Sequence, residues 1–264
     1  MSAKSGKIRL LSLAVVAVLV CLYLWCSPKE SQVPLLPDDT LLEIPSYTSD
    51  NNVISHIGYT TCYNNDLRIP EWVAWELTAE ELEGDLEVYR NYSEDPDMSG
   101  PQAINRDYVN SGYTHGHMAP VGDMKWSGQA IDESNYLTNM CPQTAELNNG
   151  DWEYLESRCR KAARKYGRVW ITCGPLFTSD HIETIGRNNV AVPDAFFKVM
   201  LTETDGKYHS IGFIYRNDQS SQPLADCAMT VNEVETKTGL DFFPALPDDI
   251  ENNIESEYDL YIWK

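Results

Sequence analysis

Between residues 111 and 160 the chain carries, in order, His117, Asn148, Glu156 and Arg160. An imidazole takes up a proton near neutral pH. An amide oxygen and a carboxylate are hard oxygen donors of the kind that suit Mg²⁺. A guanidinium grips phosphate or offsets negative charge as it develops. Phosphodiester hydrolysis needs these functions: a base for water, a held cation, and positive charge for the transition state. Glu156 and Arg160 follow Asn148 by 8 and 12 residues. Multiples of four keep all three near one helical stripe, so they would face one cleft. Gly116, just before His117, lets backbone come close to a substrate. Each residue also has a plainer reading. A histidine in a Gly-rich turn is often structural, Asn148 or Asn149 is a natural N-cap, and Glu156 with Arg160 makes an ordinary i,i+4 surface pair.

The elements that would position these groups can be read from periodicity. Residues 72–77 alternate like a strand, and so do 168–173 (R-V-W-I-T-C), where Gly174-Pro175 is expected to stop the run. Two more strands, 195–202 and 209–215, are joined by a turn at Thr204-Asp205-Gly206. The clearest helix is 151–166, with Trp152, Leu155, Cys159, Ala162 and Tyr166 at spacings of three and four and Gly167 as C-cap. A capping box, Thr230-x-x-Glu233, opens another helix that ends at Gly239. Strands interspersed with helices and long loops predict an α+β fold with a largely antiparallel central sheet and flanking helices.

Ahead of this domain, Lys4, Lys7 and Arg9 precede an uncharged run over residues 10–26. We read 1–8 as a short basic cytoplasmic segment and 9–26 as a signal anchor or signal peptide. Residues 27–45 form a Pro-rich acidic linker, and 46–264 the globular domain. That places the domain outside the cytoplasm, tethered to a membrane, or secreted or periplasmic if the segment is cleaved.

The formal net charge is −20, which opposes approach of a polyanion. Arg158, Arg160, Lys161, Arg164, Lys165 and Arg168 are clustered, and form either a basic patch or a solvated helix face. Five cysteines lie beyond the hydrophobic run with no CxxC spacing, which argues against a zinc ribbon and leaves room for a disulfide or two.

Three linked motifs then stand in order: T-H-G-H-M-A-P at 114–120, Y-L-T-N-M-C-P-Q at 136–143, and L-N-N-G-D-W-E-Y-L-E at 147–156. They resemble D-R-G-H-x-A-P, Y-L-x-N-x-x-P-Q and L-N-x-G-x-W-x-x-L-E of the DNA/RNA non-specific endonuclease family, the ββα-metal nucleases that include endonuclease G. Flanking segments at 70–78, 89–96 and 169–177 fit as well, so the likeness extends over roughly residues 59–243. The resemblance implies a ββα-metal active-site motif in which His117 activates water and Asn148 is the one direct protein ligand of Mg²⁺, with Mn²⁺ as a substitute. It places Glu156 behind a metal-bound water, Arg160 and Arg90 on phosphate and transition state, and Asn139 in support. The implied partner is DNA, RNA or both, cut without sequence preference; relatives include dimers, so a homodimer is also allowed.

The sequence departs from the family at Thr114 and His115, which stand where Asp and Arg are usual. Thr114 keeps an oxygen acceptor without the charge, and His115 is a cationic donor only when protonated. Two other readings follow: a catalytically weak nucleic-acid-binding protein on the same fold, and a zinc pair of His115 and His117 completed by Cys141 or a carboxylate.

Overall fold

A computed structural model describes residues 40–46 and 52–264, all within the unit Leu35–Lys264. The basic segment, the hydrophobic run and most of the linker lie outside the described residues. Packing onto the domain is already present at Leu42, which is buried. Among the described residues no helix is long and apolar enough to cross a membrane.

The strands are β1 (Asn52–Ser55), β2 (Thr60–Asn64), β3 (Ile69–Thr78), β4 (Thr114–His117), β5 (Met140–Gln143), β6 (Arg168–Leu176), β7 (Thr184–Ile185), β8 (Val190–Ala191), β9 (Ala195–Thr204), β10 (Lys207–Arg216) and β11 (Ala228–Met229). Seven of them form one sheet in the order β1-β2-β3-β6-β9-β10-β11, and every pairing in it is antiparallel. β4 and β5 form a separate antiparallel ribbon, and β7 pairs with β8. The four longest helices are α1 (Gly128–Ser134), α2 (Glu153–Tyr166), α3 (Val231–Thr238) and α4 (Asp248–Ser256).

Strand alternation sorts the two faces of the sheet. Phe196, Lys198 and Met200 on β9 face α2, where Cys159 meets Met200. Phe197, between them, packs on Phe242, and Gly212 of β10 abuts Val234, so α3 and α4 cover the opposite face. The expected fold class, α+β with a largely antiparallel sheet and flanking helices, is what the molecule has.

Local signals placed most elements correctly. Asp205 and Gly206 both take positive φ, 50° and 73°, which fits a two-residue hairpin turn between Thr204 and Lys207. The Thr230–Glu233 capping box is present, and Gly239 ends α3 in the left-handed region. One strand end was misjudged: β6 does not stop at Gly174-Pro175 but continues to Leu176. Its pairing with β3 ends at Cys173, while pairing with β9 continues, so Pro175 sits where one side of the strand is already free. Gly174 is required because a Cβ there would strike the Glu71 carbonyl oxygen.

The disulfide expectation is corrected. Cys62, Cys141, Cys159, Cys173 and Cys227 are all free and buried. Burial pushes the Cys62, Cys159 and Cys173 thiols up to about 12, so they behave as small apolar side chains. The basic stretch is partly consumed as well. Arg158 Nε donates to the Trp263 carbonyl at 3.1 Å and Lys161 Nζ to that of Lys264 at 2.9 Å, which ties the C-terminal residues to α2.

Gly174→Ala tests the β6 reading. It should destabilise the domain by about 1–3 kcal/mol in chemical denaturation, because backbone rather than a mobile side chain would have to give way. A loss below about 0.5 kcal/mol would show that the strand accommodates a Cβ there.

Candidate active site

The residues singled out from sequence converge on one cleft of about 680 Å³, lined among others by Arg90, Thr114, His115, His117, Asn148, Glu156 and Arg160. Its floor is the β4–β5 ribbon, with Thr114 opposite Gln143 and His117 opposite Met140. Its wall is a helical stretch that begins at Ala145, passes through a π turn at Asn148–Trp152, and runs on as α2. Strand, strand and helix therefore follow one another in the order of the ββα motif.

Asn148 is not the helix cap that its position suggested. Thr144 is the cap, its hydroxyl accepting the Leu147 N–H, and Asn148 lies inside the helix on the π turn. Such one-turn insertions reorient a side chain relative to the regular helix. Asn148 Nδ2 donates to Thr114 Oγ1 at 2.9 Å and approaches the His115 carbonyl at 3.5 Å. Thr114 in turn donates its hydroxyl proton to the Gln143 carbonyl at 3.0 Å, which leaves a lone pair for Asn148. The amide is thus held by its nitrogen, and Oδ1 has no protein partner among the described residues.

His117 has two unlike ring nitrogens. Nε2 is sealed from solvent without a hydrogen-bond partner. Nδ1 is neither buried nor bonded among the described residues, so it is the nitrogen that meets the cleft. Behind the ring stands Asn135, whose Nδ2 donates to the Tyr89 and Ile131 carbonyls at 3.1 and 2.8 Å. Its Oδ1 is also buried and unpartnered, and its side chain attracts the protonated ring. Burial, Arg90 and His115 outweigh that attraction and push His117 down to about 4, so the ring is neutral at pH 7. The carbonyl of His117 accepts the Trp152 indole N–H at 3.3 Å, fixing the end of β4 to the helix.

The remaining sequence candidates are placed as follows. Arg90 is exposed on the rim. Arg160 Nη1 donates to Asp123 Oδ1 at 2.9 Å and lies 3.9 Å from Glu156 Oε2, so its main partner is Asp123 and not the i,i+4 glutamate. Burial pushes Glu156 up to about 7, opposed by Lys198 and Arg160. Asn139 is fully buried. It accepts the Ala119 N–H at 2.9 Å and donates to the Ala119 and Ser134 carbonyls, both at 2.8 Å, pinning the chain just beyond His117. Gly116 does not open the backbone to a substrate. The space a Cβ would take is filled by the Gln143 side chain.

His115 is sandwiched between Tyr92 and Tyr108, with ring centroids 3.9 and 4.1 Å away and planes within 7° and 20° of parallel. Burial pushes it down to about 4, so it is neutral at pH 7 and offers no cation in place of arginine. The zinc reading finds no support in the arrangement of ligand atoms. Among the described residues the one cluster of three or more His, Cys, Asp or Glu with ligand atoms in mutual reach is His56, Asp95 and Asp97, not His115, His117 and Cys141. That cluster is internally satisfied: His56 Nε2 meets Asp95 Oδ2 at 3.0 Å, and Asp95 also accepts from Thr138 at 2.6 Å and from the Asp97 N–H at 2.9 Å.

Comparison with known proteins agrees with this geometry. The profile of the family described as DNA/RNA non-specific endonuclease matches residues 38–249. The chain belongs to that family. It is 36% identical over 208 residues to "Nuclease EXOG, mitochondrial" of Danio rerio, covering 72% of this chain and 60% of that one. It is 34% identical over 224 residues to "Nuclease C1" of Cunninghamella echinulata var. echinulata, covering 79% and 89%. A solved structure of an EndoG/EndoGI complex, describing the mechanism of EndoG inhibition, superposes with a TM-score of 0.72 at 31% identity, covering 77% of this chain and 90% of that one.

Within this family member, sequence reasoning missed Asp123, Asn135, Trp75, Trp152 and Lys198 as parts of the site. Asp123 follows the first motif closely enough to have been suspected. Lys198 is a lone cation inside an apolar strand, and that mismatch is itself a signal. Trp152 is the tryptophan of the third motif and Trp75 lies in the flanking segment 70–78, so both carry a mark; Asn135 does not, because its role depends on where the chain returns.

The neutral state of His115 can be checked directly. Imidazole NMR titration should find both His115 and His117 uncharged down to about pH 4, against an ordinary histidine near 6.5. A His115 midpoint at 6 or above would contradict the aromatic stack.

Proposed function

We propose that this chain is a metal-dependent endonuclease that hydrolyses phosphodiester bonds of DNA, RNA or both without sequence preference. The observation that carries the reading is that His117 Nδ1 and Asn148 Oδ1, both unengaged by the protein, open onto the same cleft. Family membership supports the reaction class. The chain spans only 60% of the length of the Danio rerio relative, so the activity is assigned here on the site of this chain itself.

In this reading the Nδ1 lone pair of His117, which faces the cleft, takes a proton from water. The depressed basicity keeps that lone pair free at neutral pH. Thr114 does the orienting that the family assigns to its aspartate, through the hydroxyl and not through charge. Asn148 Oδ1 would be the direct protein ligand of a divalent cation, with Glu156 holding one of its waters. One amide, one carboxylate and an open cleft suit Mg²⁺, which keeps most of its water, and Mn²⁺ as its substitute. When bound, that cation would offset charge on the phosphate and on the leaving oxygen. Arg90 on the rim and Arg160 on the helical wall would add charge-assisted contacts to phosphate. The N-terminal hydrophobic run supports delivery out of the cytoplasm and a membrane tether, and the EXOG relative is named a mitochondrial nuclease.

Plasmid nicking with Mg²⁺ or Mn²⁺ tests the base. His117→Ala should lower the rate by about 10²- to 10⁴-fold. Equal cleavage by the variant and the wild type would leave only the nucleic-acid-binding reading.

Asn148→Ala tests the ligand. Half-maximal activity should require about 10- to 100-fold more Mg²⁺, with most of the rate recovered at high concentration. A defect indifferent to Mg²⁺ would reduce Asn148 to a structural residue of the π turn.

A further inference from the structure

One cation has no part in the mechanism above. Lys198 lies in the middle of β9, paired with Cys173 on β6 and Phe213 on β10, in a row that faces α2. The residue is fully buried, and Nζ has no hydrogen-bond acceptor. An ammonium without water or an acceptor is costly to bury, so its surroundings must compensate. Two indole faces contribute. Nζ sits 4.3 Å from the Trp152 ring centroid and 5.2 Å from that of Trp75.

Titratable groups face it on three sides. Burial works against the charged lysine; the Cys173 and Cys159 thiols are neutral below about pH 12, so Glu156 on α2 and Asp123 beyond β4 are the groups that favour its charge at pH 7. From Glu156 the relation is reciprocal. Burial raises the carboxyl, and the first influence opposing it is Lys198, ahead of Arg160; Asp123 and Glu153 push the same way as burial. Arg160 lies 3.9 Å from Glu156 Oε2 but spends the same Nη1 on Asp123 at 2.9 Å.

The two indoles that flank Lys198 are each committed to the site by their N–H. Trp152 donates to the His117 carbonyl at 3.3 Å, and Trp75 donates to Asp123 at 3.2 Å. A single ammonium therefore stands behind the backbone of the base, the partner of the arginine and the carboxylate of the helix.

We propose that Lys198 is a positioning residue of this site: a buried ammonium clamped between Trp75 and Trp152 that supplies counter-charge to Glu156 and Asp123 from behind the cleft and so keeps Glu156 ready to hold a cation's water. The proposal rests on the role given to Glu156 above.

Lys198→Met keeps an unbranched chain one atom shorter and removes the charge. The measurement is kcat/KM against pH at fixed Mg²⁺, on a fluorogenic oligonucleotide, with thermal unfolding as the check on folding. The acid limb should move up by about one pH unit or more, because Glu156 loses its leading counter-charge. In a Glu156→Gln background the same lysine change should leave the limb where it is. A folded Lys198→Met protein whose limb keeps the wild-type position, however slow it is, overturns the proposal. If Lys198→Met alone does not fold, Lys198→Met with Glu156→Gln removes both charges and should recover the fold; failure of the pair as well overturns it. If His117→Ala cleaves as fast as wild type, the catalytic reading falls and takes this proposal with it. If His117→Ala is inactive and the limb is unmoved, the Lys198 proposal alone falls.

Discussion

Asp123 is a carboxylate almost wholly out of contact with water, and the cleft above it depends on that charge being answered. Burial raises its pKa, and Arg160 is the first influence pulling it back. Arg160 Nη1 and the Trp75 indole N–H meet its two oxygens at 2.9 and 3.2 Å. Removing one partner of such a buried pair typically costs about 3–5 kcal/mol, because the other charge is left stranded. The bond therefore fixes the guanidinium on the helical wall of the cleft. The same Nη1 lies 3.9 Å from Glu156 Oε2, a longer second contact. Trp75 comes from β3 and Lys198 from β9, so the central strands bring a partner of Asp123 and a buried cation behind the cleft as well as forming the core.

The backbone around this pair is held by a second set of bonds, each joining segments distant in sequence. Asn139 ties the chain after His117 to the end of α1, and Trp152 ties His117 itself to the helix. Thr114 and Asn148 join the opposite end of β4 to the π turn. The ribbon is thus clamped at both ends against one helix. A register slip by one residue would turn both Thr114 and His117 to the other face, and these three bonds are what forbid it.

How much of this was legible follows from the range of each interaction. Turn and cap chemistry is local, so the hairpin at Asp205-Gly206, the capping box at Thr230 and the C-cap at Gly167 could be read directly. The grouping of His117, Asn148, Glu156 and Arg160 was legible too, because helical spacing aligns three of them and the motif order supplies the fourth. The partners were not. Arg160 looked like the mate of Glu156 at i,i+4, but Asp123, 37 residues upstream, is nearer and more deeply buried. Asn148 looked like a cap because a π turn gives no periodic signal when it is one turn long. The continuation of β6 through Pro175 could not be seen either, since it depends on β3 ending first.

The replacement of Asp and Arg by Thr114 and His115 makes sense in terms of charge. Either change alone would alter the net charge of the cleft by one unit, beside the proposed base His117 and the proposed cation ligand Asn148. Made together they leave it unchanged, provided His115 is neutral, and its stacking between Tyr92 and Tyr108 keeps it so at pH 7. Asn148 Nδ2 needs only an acceptor, and a hydroxyl whose own proton is committed to Gln143 provides one. What is lost is a fixed cation next to a polyanion. On a chain of net charge −20 that loss leaves the proposed phosphate contacts to Arg90 and Arg160. Arg160 is already partly neutralised by Asp123, so Arg90, exposed on the rim, is the guanidinium with the most charge to offer an incoming strand.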